Sequence, residues 1–179
     1  MLRLNHIVSF ICILTISAQS FGQNLFMPNN IKYKKFNNGF SYYLIPEGAR
    51  GKVGMYLVSN TGSLVENPQE RGVGHFLEHM VFKGSKNYPG DETAELFDKM
   101  GLRVGRDYNA SVDNLKTEYE IFIPEGNLDN LHQTLLLFKD WISDLQMQNE
   151  AFKVEQKVVI EEISKRSTVS SPFLKGTPL

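Results

Sequence analysis

Cysteine is nearly missing from this chain of 179 residues: its one copy, Cys12, lies in an apolar run close to the start. A fold stapled by disulfides is thereby excluded. There is also no apolar stretch approaching the ~20 residues that a comfortable bilayer span requires. The run from Ile7 to Ala18 is too short. No charge of one sign dominates, since 19 Lys and Arg stand against 20 Asp and Glu for a net charge of −1. The basic residues are scattered rather than gathered into a stripe, which argues against a nucleic-acid partner. Low-complexity tracts are lacking as well. What remains is the composition of an ordinary globular protein, 41% hydrophobic and 22% charged. The length fits one domain or a piece of a larger protein.

The first residues differ from the rest. Arg3 is followed by the apolar run and then by small and polar residues up to Gln23, the pattern of a secretory signal peptide. Cleavage would fall after Ser20 or just before Gln23. Residues 1–22 are therefore expected to be a signal segment, and residues 23–179 one partial domain. The membrane would be met only through that segment, and the product would be periplasmic or extracellular. An uncleaved anchor is the alternative. Phe10 and Ile11 precede Cys12 where a lipoprotein site would need small residues, so Cys12 would leave with the signal.

Beyond the signal, Asn38-Gly39 marks a turn into a strand at "FSYYLI", whose apolar residues on both sides predict cover on both faces. "KVGMYLVS" predicts a strand over 53–58, and the "KYKK" run before them reads as a solvated basic stretch. Asn67 and Pro68 carry the signals of a helix start, with a well-formed helix from near Gly72 to Gly84. "DETAELFDKMG" predicts a short helix between Asp91 and Gly101. "LRVGRDYNASV" reads as extended, and "KTEYEIFIP" alternates as a strand. A long helix follows, with Leu128, Leu131, Leu135, Phe138, Ile142 and Leu145 on one stripe. A last helix carries Phe152, Val159 and Ile163 until Ser170-Ser171-Pro172 breaks it. The order predicts an α+β fold, an antiparallel-rich sheet with helices packed on it, incomplete at the C-terminus.

Chemistry gathers in "RGVGHFLEHMVFKGS", residues 71–85. On a helix, His75 and His79 lie one above the other and can point at one metal ion. Glu78 sits at the edge of the same face, within reach of a water on that metal. Two histidines four apart also occur as a plain surface pair, so further ligands matter. Hydrolytic zinc sites use three protein ligands and keep one position open. The last helix offers Glu155, Glu161 and Glu162. Glu155 and Glu162 are two turns apart and share a face flanked by Val158 and Val159, while Glu161 points about 100° away. A carboxylate on an inward face is costly unless paired or metal-bound, which favours Glu162 or Glu155 as the third ligand. His132, beside Asp129 and Gln133, reads as a surface residue, and Phe138 and Trp141 as core.

His75-Phe-Leu-Glu78-His79 is the inverted zinc motif of the inverzincins. "GSLVENPQERGVGHFLEHMVFKGSKNYPG" resembles the catalytic segment of the pitrilysin, insulysin and mitochondrial processing peptidase family, the M16 metallopeptidases. "GRDYNAS" is similar to its Asn-Ala segment, and "VEQKVVIEEI" to its downstream glutamate helix. The resemblance runs from about Phe36 to Ile163. It implies an M16- and LuxS-like α/β roll and a zinc endopeptidase acting on exported peptides or unfolded proteins. His75, His79 and Glu162 would hold Zn2+, and Glu78 would be the general base. Glu155 would support the site, and Asn109 would lie in the segment facing a peptide substrate. Family members close two halves around a peptide that adds to a sheet edge, so a second half or partner chain is implied. The competing expectation is a non-catalytic or truncated subunit that keeps the fold without turnover.

Overall fold

A computed structural model describes residues 29–46, 48 and 51–174, with side chains as far as Lys165. The expected signal segment, Cys12 included, lies outside the described residues. The chain divides into two compact units, one ending at Gly48 and one beginning at Ala49.

The first unit holds an antiparallel hairpin of β1 (Lys32–Lys35) and β2 (Ser41–Leu44), in register Lys32↔Leu44 to Lys35↔Ser41. Gly39 at φ 89° makes the turn that Asn38-Gly39 announces, and the Phe36 N–H donates to the Phe40 carbonyl at 2.8 Å. The "KYKK" run, expected as a solvated stretch, is the first strand, because it pairs residue for residue with "SYYL". Every residue of both strands is exposed, so among the described residues the predicted cover on both faces is not found.

The second unit contains β3 (Val53–Ser59), α1 (Val73–Met80), α2 (Glu92–Lys99), β4 (Tyr108–Val112), β5 (Thr117–Ile123), α3 (Leu128–Ser143) and α4 (Asn149–Leu174). Its sheet has the order β3-β5-β4 and is antiparallel throughout. The α+β expectation therefore holds. Alternation along β5 sends Ile121 and Ile123 into the core and leaves Phe122 exposed on the other face. The core joins these two isoleucines to Val81, Phe97, Leu137, Phe138 and Trp141.

Three helices depart from the sequence reading. Asn67 does cap, but it caps a turn ahead of α1: its Oδ1 accepts from the N–H groups of Gln69 and Glu70, and the Glu70 carboxylate accepts from the Asn67 N–H, a reciprocal capping box. The helix itself starts at Val73, after Gly72 at φ 89°, and ends at Met80, a turn short of Gly84. In α3 the predicted stripe turns inward only in part: Phe138 is buried and Leu131 and Leu145 pack against the core, but Leu128, Leu135 and Ile142 are exposed. Leu128 is 85% exposed and Ile142 60%, whereas Thr134, Leu137, Phe138, Asp140 and Trp141 are buried. The segment is apolar around most of its circumference, so periodicity alone does not select the inner face. The backbone of α4 runs through Ser170 and Pro172 to Leu174 rather than breaking there.

Candidate metal centre

The centre forms where α1 packs against α4. Phe76 on α1 meets Phe152 on α4 edge to face at 4.7 Å, which fixes the two helices beside one another. Met80 is fully buried on the same short helix. With those residues turned inward, His75 and His79 fall on the α4 side with their rings 5.0 Å apart. On α4, Glu155, Val159 and Glu162 occupy one face, two turns long.

The three donor groups converge. One ligand atom each from His75, His79 and Glu162 lies within 4.8 Å of the others. Glu162 Oε2 is 3.4 Å from His75 Nε2 and 3.8 Å from His79 Nε2. Ligand atoms held ~2.1 Å from a tetrahedral ion stand about 3.4 Å apart. Two imidazole nitrogens and one carboxylate oxygen at these separations therefore fit an ion of the zinc class, with a coordination position left over. Glu161, the residue pointing elsewhere, is exposed and pairs with Lys165.

Glu155 stands behind His79 rather than beside the donors. It is only 5% exposed, and its Oε2 lies 3.1 Å from His79 Nδ1. Its other oxygen receives Lys83 Nζ at 2.8 Å. Burial pushes this carboxyl up, but the hydrogen bonds from Lys83 and His79 outweigh it and hold the group below its ordinary value. An ionised carboxylate only accepts, so His79 donates from Nδ1, and in the neutral imidazole this leaves the lone pair on Nε2, the nitrogen that faces Glu162.

Glu78 is half-buried on α1, one residue before His79. Its charge is felt by Tyr119 on β5, whose phenol is pushed up to about 12, first by burial and then by Glu78. Asn109 is exposed on β4, opposite Glu120 in register. It lies on the sheet face away from Tyr108, which packs on Phe97. The strand carrying it is an edge of the three-stranded sheet. Asn109 is not one of the converging donors, although α1 packs against the strand that carries it.

Sequence reasoning missed three residues here. Lys83 closes the ion pair with Glu155, Glu66 binds the start of α1, and Tyr119 lines the sheet side next to Glu78. Lys83 lies one turn after His79, so helical spacing was a usable signal for it. Glu66 acts at a helix start that two glycines make hard to place, and Tyr119 meets Glu78 only through the fold.

The sequence profile of the insulinase family, peptidase family M16, matches residues 47–174. Over 129 residues the chain is 36% identical to the probable zinc protease PqqL of Escherichia coli strain K12, covering 72% of this chain and 14% of that protein. It is 31% identical over 153 residues to the probable zinc protease PqqL of Haemophilus influenzae, covering 85% and 16%. The solved structure of the first half of the periplasmic protease PqqL from Escherichia coli aligns with a TM-score of 0.72 at 34% identity, covering 76% of this chain and 30% of that one. The chain thus spans only 14% and 16% of the two curated relatives.

Proposed function

Because the chain belongs to the insulinase family of M16 peptidases, we propose that it carries the zinc-binding and proton-transfer part of an exported endopeptidase. Its substrates would be exported peptides or unfolded proteins. The observation that carries this reading is the meeting of His75, His79 and Glu162, from two helices, with Glu78 on the same short helix as the histidines. Residues 1–22 are a signal segment and residues 23–179 the partial catalytic domain, working with a second half or partner chain. Export is supported by the charged and apolar start of the sequence and by a similar protein described as periplasmic.

Zinc, when bound, supplies the polarisation that makes a water acidic and a peptide carbonyl electrophilic near neutral pH. His75 and His79 offer ring nitrogens to it, and Glu162 a carboxylate oxygen. Glu155 fixes the His79 ring and its tautomer from behind. Glu78 takes the proton of the attacking water and returns it to the leaving amine. Tyr119 keeps its phenolic proton throughout the neutral range beside Glu78, since its pKa is pushed up to about 12. The extended peptide adds along β4, an edge strand of the three-stranded sheet on which Asn109 is exposed, through main-chain hydrogen bonds.

The test has two arms. The purified chain should contain about one zinc ion, and His79→Ala should lower that content, since three ligands are the working minimum of such a site. A folded wild-type chain without affinity for zinc would sink the site. Glu78→Gln should keep the metal yet lower cleavage of an unfolded peptide, supplied with the second half, by a factor of about 10² to 10⁴. Equal cleavage by both forms refutes the base role and favours a non-catalytic subunit.

A further inference from the structure

The segment ahead of α1 holds a carboxylate that the metal site and the mechanism leave unused. Glu66 is half-buried, and its two oxygens grip two successive points of one backbone. Oε2 accepts from the Gly72 N–H at 2.8 Å, and Oε1 accepts from the Gly74 N–H at 2.7 Å. Gly72 is the N-cap of α1 and Gly74 its second residue. The first N–H groups of any helix lack partners within it, and the dipole favours a negative charge there. Gly72, having no side chain, makes no capping bond of its own. The cap therefore comes from six and eight residues back in the chain.

The glycines make this grip possible. Gly72 adopts φ 89°, a conformation that side chains rarely tolerate. At Gly74 an added Cβ would stand 3.0 Å from Glu66 Oε1 and 3.5 Å from Val112 Cγ1 on β4. The missing side chain lets the carboxylate and the edge strand both come close. His75 is the next residue, and its ring reaches Glu162 at 3.4 Å. The helix has only two turns, and so short a helix is held by its contacts rather than by its own propensity. Whatever fixes its first turn fixes the direction of His75.

We propose that Glu66 is a positioning residue of the metal centre, which holds His75 against Glu162 by clamping the Gly72 and Gly74 N–H groups. The inference rests on the metal-site reading above and adds to it a residue that touches neither metal nor substrate. A merely structural cap would act on stability alone. The molecule provides the control: Asn127 caps α3, its Oδ1 accepting from the Asn130 N–H at 2.8 Å, on a helix that carries none of the donors.

The experiment uses cobalt(II) as the probe on the full chain, with visible absorption for ligand geometry and chelator competition for affinity. Glu66→Ala should weaken cobalt binding about tenfold, the lower end of the range for supporting residues of a metal site, and alter the absorption bands. Glu66→Gln keeps one acceptor oxygen, should fall between the two, and serves as the test variant if Glu66→Ala does not fold. Asn127→Ala should lower thermal stability comparably while leaving affinity within about twofold of wild type, as expected of independent sites. Wild-type affinity and spectrum in both Glu66 variants would overturn the positioning role alone. Equal weakening by Asn127→Ala would overturn it too, by showing a general loss of stability. A wild-type chain that takes up no cobalt would overturn the metal-site reading together with it.

Discussion

Asp140 and Glu155 are the buried carboxylates among the described residues, and their surroundings differ in kind. Asp140 on α3 is enclosed by donors from the loop after α1: Ser85 Oγ at 2.9 Å, the Asn87 N–H at 2.7 Å and Asn87 Nδ2 at 2.8 Å. Lys139 contributes a longer contact at 3.5 Å. Glu155 on α4 is held by one full cation, Lys83, and by one imidazole, His79. Burial raises both groups, and in both the partners win and bring the pKa below its ordinary value. The difference lies in what the partners do next. Ser85 and Asn87 tie a loop down and pass nothing on. His79 has a second nitrogen, and that nitrogen faces Glu162. A buried carboxylate met chiefly by neutral dipoles is a staple; one met by a histidine whose far nitrogen faces a second carboxylate belongs to a site.

The largest effect should come from breaking the staple. Asp140→Ala leaves the Ser85 hydroxyl, fully buried, and both Asn87 donors without their acceptor. Asn87 is exposed and can turn its donors to water, but the stranded buried Ser85 hydroxyl costs about 1–3 kcal/mol, so a loss of that order is expected in urea denaturation, with zinc affinity unchanged in the fraction that stays folded. A small stability loss combined with a large loss of affinity would reverse the roles assigned to the two carboxylates.

Glu155→Ala should do the opposite. Lys83 is 40% exposed and can turn to water, so stability should fall less. The His79 ring, without its acceptor, loses its fixed tautomer and orientation. Removing such a support lowers metal affinity by about 10- to 100-fold, measurable by competition with a chromogenic chelator. Unchanged affinity would reduce Glu155 to a second staple.

This contrast was only half legible in the sequence. His75, Glu78 and His79 share a face because helical spacing puts them there, and Glu155 and Glu162 share one for the same reason. Such intrahelical relations can be read without a structure. The strand alternation of "KTEYEIFIP" was equally plain. The inner face of α3 was not, since Leu128, Leu135 and Ile142 are as apolar as the residues that are buried. Asp140 could not be told from a surface aspartate, because its donors lie 53 and 55 residues away. Glu66 was hidden for a related reason: its value depends on where α1 begins, and two glycines made that start hard to place. What a periodic pattern cannot carry is the meeting of elements distant in sequence, as between Asp140 and its donors or between Tyr119 and Glu78.

The smallest effect is one of pH. The Asp140 carboxyl, ordinarily near 3.8, sits lower in the folded chain: burial opposes this, and the Asn87 and Ser85 hydrogen bonds and the Lys139 charge overcome it. In the unfolded chain it returns to its ordinary value, so the unfolded state binds more protons in the window between the two. Its contribution to stability is thus fully present above ~pH 4 and is lost as pH falls through the folded value. Asp140→Asn keeps the shape and removes the titration. The variant should be less stable near neutrality yet lose less stability than wild type between ~pH 5 and ~pH 3, followed by circular dichroism at fixed urea. Parallel acid limbs would mean that the charge of Asp140 does not hold the loop, and the contrast with Glu155 would then reduce to geometry.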